Sequence, residues 1–503
     1  MQTQRYVAQP TGAKLIVLEG DRIRVLQLDI RQLWVVGRLD PTVTVEPDVC
    51  FTSRLVSRKH GWLHNIEGKW YFEDNPKNLN GTFYNGVKIP RPVGEKKSSV
   101  PLQNGDILRI DNEDLSNANE NGVLMMFTTD KTKGDWITHP LPEGETLIGR
   151  DESCDIVFPL PYLSARHAKI TRRGEKFYLS DCGSKSGTYL NSRLIRVPQA
   201  LLQEKDHIAL CDCNLFFLGD RLLYCRRDPE REIEELTGIA PAQRPVILKA
   251  DIRSKTVRKR GGFGMKELVR DVQLEIRQGT LVALLGTAGA GKSTVMNCLN
   301  GMDLQGVQGT VLYRNVDLMK DLGRMKHLIG NVPQDKVFHP ELTPEKEFWD
   351  AAKLRLPADM TNREIRERVD KTLKMLGIDN VRNNTNSMLS GGEKTRVNVG
   401  IELVADRDIL FLDEPDQGLS PNYKEELFLI LRSLAHEHGK SILSIIHDVS
   451  KIELFDQVIM LAKVDGVGRL AFSGTPEAAQ KHFSVPIADA YALLEKEPER
   501  FVR

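Results

Sequence analysis

The sequence predicts a multidomain chain, two all-β sandwiches followed by an α/β domain, and three observations carry that expectation. One set of short motifs occurs twice in the first half of the chain. Around both copies, apolar and polar residues alternate over short runs. Beyond a charged, proline-bearing break, buried-strand runs alternate with helical stretches, and one such strand leads into a glycine-rich loop.

The repeat is read from its anchors. The first copy carries Gly37-Arg38, then Ser57-Arg58-Lys59-His60, then Asn80-Gly81-Thr82 followed by Asn85-Gly86. The second carries Gly149-Arg150, then Ser164-Ala165-Arg166-His167, then Ser186-Gly187-Thr188 followed by Asn191. Lys69-Trp70-Tyr71-Phe72-Glu73 and Lys176-Phe177-Tyr178-Leu179-Ser180 alternate as half-buried strands do, between Gly, Asn and Asp clusters.

The charged run Arg226 to Glu235, Thr237-Gly238 and Pro241 to Pro245 interrupt the apolar periodicity and read as a linker. The expected boundaries are 13–128 and 134–222 for the sandwiches, 223–245 for the linker, 246–485 for the α/β domain and 486–503 for a tail. Lys plus Arg number 70 against 69 for Asp plus Glu, a net charge of +1, so no global field recruits nucleic acid or an anionic membrane. The seven cysteines are odd in number and scattered, which fits a reducing compartment. Cys211-x-Cys213 lacks a second ligand pair at zinc spacing and reads as two strand residues facing one side. Met1 to Gly12 has no apolar core of the signal-peptide kind, and Leu281 to Leu285 falls far short of the roughly 20 residues that span a bilayer. A cytoplasmic location follows, with any membrane part expected on another polypeptide or outside this sequence.

Gly286-Thr287-Ala288-Gly289-Ala290-Gly291-Lys292-Ser293 fits G-x-x-x-x-G-K-S, placed after an apolar strand and before the helical stretch Thr294 to Leu299. Small residues let backbone N–H groups close around phosphate oxygens, Lys292 adds a point charge, and the Ser293 hydroxyl suits Mg²⁺. Leu389-Ser390-Gly391-Gly392-Glu393 leads into the helix Lys394 to Glu402, a second hydroxyl-bearing helix start and hence a second anion seat. Asp408-Ile409-Leu410-Phe411-Leu412-Asp413-Glu414-Pro415 is an apolar strand that delivers two carboxylates at its C-terminal edge. Asp413 is expected to hold Mg²⁺ through water, and Glu414 to polarise the attacking water as general base. Gln334 and His447 follow in the order of the chain.

With that ordered set, residues 246 to 483 resemble the ABC ATPase family, a P-loop NTPase fold with a helical subdomain. The resemblance implies ATP and Mg²⁺ as cofactors, bound by Gly286 to Ser293 with Thr294. It implies Gln334 as a residue touching Mg²⁺ and coupling to a membrane partner, and His447 as the switch histidine at the γ-phosphate. It further implies a head-to-tail dimer in which Ser390, Gly391 and Gly392 of one copy close over the ATP held by the other. His339-Pro340-Glu341-Leu342-Thr343, Ala351 to Pro357 and Phe472-Ser473-Gly474-Thr475-Pro476 are similar to the G-type, White-like exporters, whose membrane domain is of the ABC-2 type. Two departures stand out: Ser420 where the family usually has Asp, and no Tyr at the adenine-stacking position, where Phe263 or no aromatic at all remain the alternatives.

The Gly-Arg, Ser-x-x-His and Asn-Gly-Thr anchors resemble the FHA family, β-sandwiches whose end loops bind phosphothreonine. A phosphate of about −1.5 to −2 charge asks for guanidinium and hydroxyl groups. The resemblance assigns Arg38, Ser57, Arg150 and Ser164 to the phosphate, with Arg58, Asn80 and Ser186 toward the peptide, and makes His60 and His167 internal buttresses. Ser186 replaces the Asn of the first copy, and Leu79 stands where a hydroxyl residue is common. The combined expectation is the ATPase subunit of an exporter, peripheral on the cytoplasmic membrane face. Its expected partners are a second copy, an ABC-2-type permease, and a phosphothreonine protein from a Ser/Thr kinase pathway. Thr237 is a candidate internal phospho-acceptor. The alternative is a phosphosignalling scaffold that uses the cassette as an ATP-gated dimerisation switch.

Overall fold

A computed structural model describes residues 10–20, 22–29, 31–40, 46–66, 68–84, 87–90, 99–102, 106–111, 122–128, 135–203, 206–258, 264–314 and 316–502. Asn85-Gly86 and Phe263 lie outside the described residues. Both repeat copies form sandwiches of a six-stranded and a five-stranded sheet. In the first, strands Leu33–Arg38, Gly61–Ile66 and Lys69–Asp74 pair antiparallel in one sheet, while Ile107–Asp111 and Val123–Thr128 lie in the other. The second repeats this plan with Gly144–Gly149, Ala168–Arg173 and Lys176–Asp181 facing His207–Leu210, Cys213–Phe217 and Arg221–Cys225.

The Gly of each Gly-Arg anchor has a steric cause. A Cβ on Gly37 would lie 2.1 Å from the Arg58 carbonyl oxygen, and one on Gly149 would lie 2.1 Å from that of Ala165. In both copies the Arg-bearing strand end and the Ser-x-x-His loop touch backbone to backbone, so no larger residue fits.

The outer faces of the two six-stranded sheets meet. Ile16, Leu18, Ile107, Leu124 and Met126 of the first sandwich form one apolar cluster with Trp136, Phe216, Leu218, Leu223 and Cys225 of the second. This explains the unbroken run Val123-Leu124-Met125-Met126-Phe127: alternate residues face the first sandwich's own core and the seam, so every one of them is buried. Of the two neighbouring cysteines, Cys213 is a strand residue as expected, but Cys211 sits in the preceding turn with φ +53°. Both side chains pack in the core, so the shared direction survives without a shared strand.

The second sandwich's last strand runs to Cys225, beyond the expected boundary at 222. The stretch read as a linker is largely helical. Helix α1 (Pro229–Thr237) begins with an Asp228 N-cap and proline in its first turn. The cassette follows on one ten-stranded sheet. Its helices are α2 (Lys292–Leu299), α3 (Leu318–Met325), α4 (Pro344–Arg355), α5 (Asn362–Met375), α6 (Gly391–Leu403), α7 (Pro421–His436), α8 (Pro476–Phe483) and α9 (Ile487–Lys496).

The central strands Leu281–Gly286, Ser441–Ile445 and Ile409–Asp413 are parallel neighbours covered on both faces. Leu281, Ala283, Leu285, Leu410 and Leu412 face the core packed by α4 to α9, and Val282, Leu284, Ile409 and Phe411 face the other. The apolar runs without alternation in the sequence are thus parallel strands buried on two sides. The 486–503 tail is not loose, since α9 buries Ile487, Ala490 and Leu494 in the first of these cores. Among the described residues, no helix is long and apolar enough to cross a membrane.

A buried ionic cluster joins the second sandwich, α1 and the cassette. Arg227 donates to Asp212 at 2.7 Å and to Glu232 at 2.8 Å, and Tyr162 donates to Asp212 at 2.8 Å. Arg314 lies 3.7 Å from Asp212 and donates to Asp408 at 2.8 Å. From α3, Arg324 donates to the Cys211 carbonyl and, at 2.7 Å, to Asn214. The charge-rich break of the sequence is therefore a joint in which Arg227 and Arg314 each meet carboxylates, while Arg324 is held by neutral acceptors.

Candidate nucleotide site and phosphate-reading loops

The sheet register brings the cassette's expected residues to one edge. Leu284 and Asp413 both pair with Ile445, and Val332 pairs with Leu412, so four strands end at nearly the same level. The glycine-rich loop, Glu414, Gln334 and His447 leave from those ends, the C-terminal edge where open α/β sheets bind ligands. Gly291 caps α2 in the left-handed region at φ +84°, and a Cβ there would meet Val269 at 2.6 Å. Only glycine lets the loop close and turn its amides inward.

Lys292 donates to the Gly286 carbonyl at 2.9 Å. Burial lowers its pKa, opposed by Glu414 and Asp413. Asp413 is pushed above the usual carboxylate range by burial and by the like charge of Glu414. Glu414 Oε1 lies 2.7 Å from His447 Nε2, and its Oε2 accepts from Gln334 Nε2 at 3.0 Å. Glu414 holds φ +49°, a conformation that costs a non-glycine residue on the order of 1–3 kcal/mol and that recurs at functional sites.

The donor set fits a magnesium–nucleotide. Ser293 and Asp413 offer the hard oxygens that Mg²⁺ takes, and a cation relieves the repulsion that raises Asp413. Gln334 donates to the adjacent Glu414.

Ser390 lies elsewhere. It caps α6 and forms a capping box with Glu393, whose N–H donates to the Ser390 hydroxyl at 3.3 Å. Among the described residues, no hydrogen bond or ion pair joins Ser390, Gly391 or Gly392 to Gly286, Thr287, Ala288, Gly289, Ala290, Gly291, Lys292, Ser293 or Thr294 of the same copy. Ser420 caps α7 by position but makes no capping bond with its side chain.

Three residues at this site escaped sequence reasoning. Gln417 accepts from Gln334 at 3.1 Å. Asn398, midway along α6, accepts from the Val337 N–H at 3.1 Å and donates to the Pro333 carbonyl at 3.4 Å, so it pins both ends of the Gln334 loop. Lys336 donates to the Gly391 carbonyl at 3.2 Å, tying that loop to the Ser390 turn. The available signal for Asn398 was an amide set between Val397 and Val399 in the apolar stretch of α6.

In the first sandwich, His60 accepts from the Ser57 N–H at 3.1 Å and contacts Thr82 at 3.0 Å, and burial lowers its pKa to about 4, so it is a neutral strut. His167 occupies the same place, 3.4 Å from the Ser164 N–H and 3.2 Å from the Gly187 carbonyl. Asn80 donates to the Leu55 carbonyl at 2.9 Å, while Arg58 pairs with Asp40 at 2.6 Å. Leu79 is 86% exposed. Ser186, in the place of Asn80, is 6% exposed, with its hydroxyl turned inward beside Cys211.

A P-loop cassette with Glu414, Gln334 and His447 gathered at one sheet edge, behind two β-sandwiches, is the class that fold and site define. Residues 269–417 match the ABC transporter family model, and residues 34–111 and 146–211 each match the FHA domain model. The chain accordingly carries an ABC-type ATPase domain behind a pair of FHA domains. It is 32% identical over 340 residues to the ABC transporter ATP-binding/permease protein Rv1747 of Mycobacterium tuberculosis, covering 68% of this chain and 37% of that protein. To ABC transporter G family member 19 of Arabidopsis thaliana it is 31% identical over 290 residues, covering 55% and 39%. To the broad substrate specificity ATP-binding cassette transporter ABCG2 of Mus musculus it is 34% identical over 227 residues, covering 44% and 33%. The chain spans less than two fifths of the length of each of these relatives.

Proposed function

We propose that this chain is the ATP-hydrolysing component of an ABC exporter, peripheral on the cytoplasmic membrane face, working as a head-to-tail dimer with an ABC-2-type permease. The observation that carries the reading is Glu414, held between His447 and Gln334 at the strand end that also presents Asp413 beside the Lys292 loop. Bound Mg²⁺ would neutralise charge on the phosphates. Ser293 and Asp413 would hold that ion, and Lys292 would exchange its Gly286 carbonyl for phosphate oxygen. Glu414 would take the proton of the attacking water, with His447 orienting the carboxylate. Ser390, Gly391 and Gly392, not bonded to their own loop, would complete the site of a second copy. Matches to ABC transporters support the transport reading.

Purification from membranes in detergent is expected to recover a polytopic permease that raises ATP turnover several-fold. Recovery of soluble proteins alone would favour the signalling scaffold, in which ATP only gates dimerisation.

The FHA domains are proposed to capture phosphothreonine from a Ser/Thr kinase pathway, through Arg38 and Ser57 in the first and Arg150 and Ser164 in the second. Combining Arg38→Ala with Arg150→Ala should weaken capture of phosphothreonine peptides by at least about tenfold, since each removes a charge-assisted pair. Retained affinity in the double variant would overturn the assignment.

A further inference from the structure

The two FHA modules carry the same phosphate-reading groups but spend them differently. In the first, the Arg38 side chain has no partner among the described residues, and Arg58 pairs only within its own module. In the second, the corresponding groups are directed at the cassette. Arg150 pairs with Glu364 and lies 3.6 Å from Asp359. The Ala165 N–H, next to Ser164, donates to Asp359 at 2.7 Å. Lys185 donates its ammonium to the Leu354 carbonyl at 3.1 Å, while its N–H donates to the Ser164 hydroxyl at 3.2 Å. Leu354, Asp359 and Glu364 belong to one short segment, the end of α4 and the start of α5.

The chemistry of this contact matches that of a phosphate. Two carboxylates supply about the −2 charge and the several acceptor oxygens of a phosphoryl group. They meet a guanidinium that is itself anchored, since Arg150 Nε donates to the Leu163 carbonyl at 3.2 Å. Its side chain is only 13% exposed, so a ligand of the second module cannot reach it while Asp359 and Glu364 are seated. The segment is also well connected inside the cassette. On α4, Phe348 packs so closely on α6 that a Cβ on Gly400 would lie 2.1 Å from its ring. Helix α6 is the one that Ser390 caps.

We propose that the phosphate seat of the second FHA module is a docking site for the cassette's own α4–α5 connection, with Asp359 and Glu364 in the place of phosphate. A phosphothreonine ligand enters that module only by displacing them, and in doing so frees the helical layer that carries Ser390. The first module takes its ligand without this competition. Displacement rests on the phosphothreonine reading given above; the dock itself does not.

The test uses the full chain in an Arg38→Ala background, which silences the first module. The probe is a fluorescent mixture of short phosphothreonine peptides with randomised flanks. Asp359→Asn with Glu364→Gln removes both charges, and Gln still serves a capping box at Thr361. Peptide affinity is expected to rise about tenfold in this variant, and adding Arg150→Ala should abolish it. Equal affinity with and without the two carboxylates, while Arg150 remains essential, overturns the proposal. Hydrogen exchange decides the dock independently of any ligand. The Ala165 amide should exchange about tenfold faster in the Asn/Gln variant, and unchanged exchange overturns the dock. Should no variant bind peptide, the phosphothreonine reading fails for this module, and the exchange result alone then decides the dock.

Discussion

Replacing Glu414 by Gln is expected to lower steady-state ATP turnover by about 10²–10⁴-fold, the range a positioned general base contributes. The substitution keeps the volume of the side chain and its capacity to bond His447 and Gln334, the two groups that hold it at 2.7 Å and 3.0 Å. What it removes is the proton acceptor. ATP binding should survive, because Lys292 and the glycine-rich loop are untouched, and the ATP-loaded variant should accumulate as a closed dimer visible by light scattering. Undiminished turnover would show that another group takes the proton. A variant that stays monomeric with ATP and permease would remove the basis for placing Ser390 over a second copy's nucleotide.

Asp212→Ala is expected to destabilise the chain by about 3–5 kcal/mol, the cost of removing one partner from a buried ion pair. Asp212 receives bonds from Arg227 and Tyr162 and lies beside Arg314, and the substitution leaves those cations short of a counter-charge inside the joint. Burial alone would raise its pKa, but Arg227 and Arg314 outweigh it and hold Asp212 at about 2. Since the unfolded value is about 3.9, the folded state binds the proton more weakly. Its stabilisation is complete above about pH 4 and is lost as pH falls toward 2. Denaturant unfolding followed at pH 7 and pH 2.5 checks both parts. The gap between wild type and variant should narrow at the lower pH, and a midpoint unmoved by the substitution at pH 7 would mean the joint contributes nothing.

The motifs of the cassette were legible because local backbone demands dictate them. A loop that must turn its amides inward needs Gly291, and a strand buried on two faces needs Ile409 to Leu412 to be uniformly apolar. The Gly-Arg anchors were legible for a similar reason, the backbone contact at Gly37 and Gly149. Long-range electrostatics were not legible. Arg226 to Glu235 read as a solvated linker because nothing nearby in sequence announces Asp212 as the partner of Arg227, although Asp228-Pro229 was a helix-start signal in plain view. The partners of Arg150 sit in another domain, and no periodicity or spacing connects them. Ser186 was assigned by its position in the repeat, whereas its direction was set by the interior beside Cys211.

The apolar seam between the sandwiches gives the N-terminal half a mechanical character. Trp136 and Phe216 share one buried cluster with Ile16 and Met126, so the two sandwiches are packed together rather than strung like beads. Moving one sandwich against the other would break this cluster, and the Asp212 joint extends the same continuity of packing to the cassette.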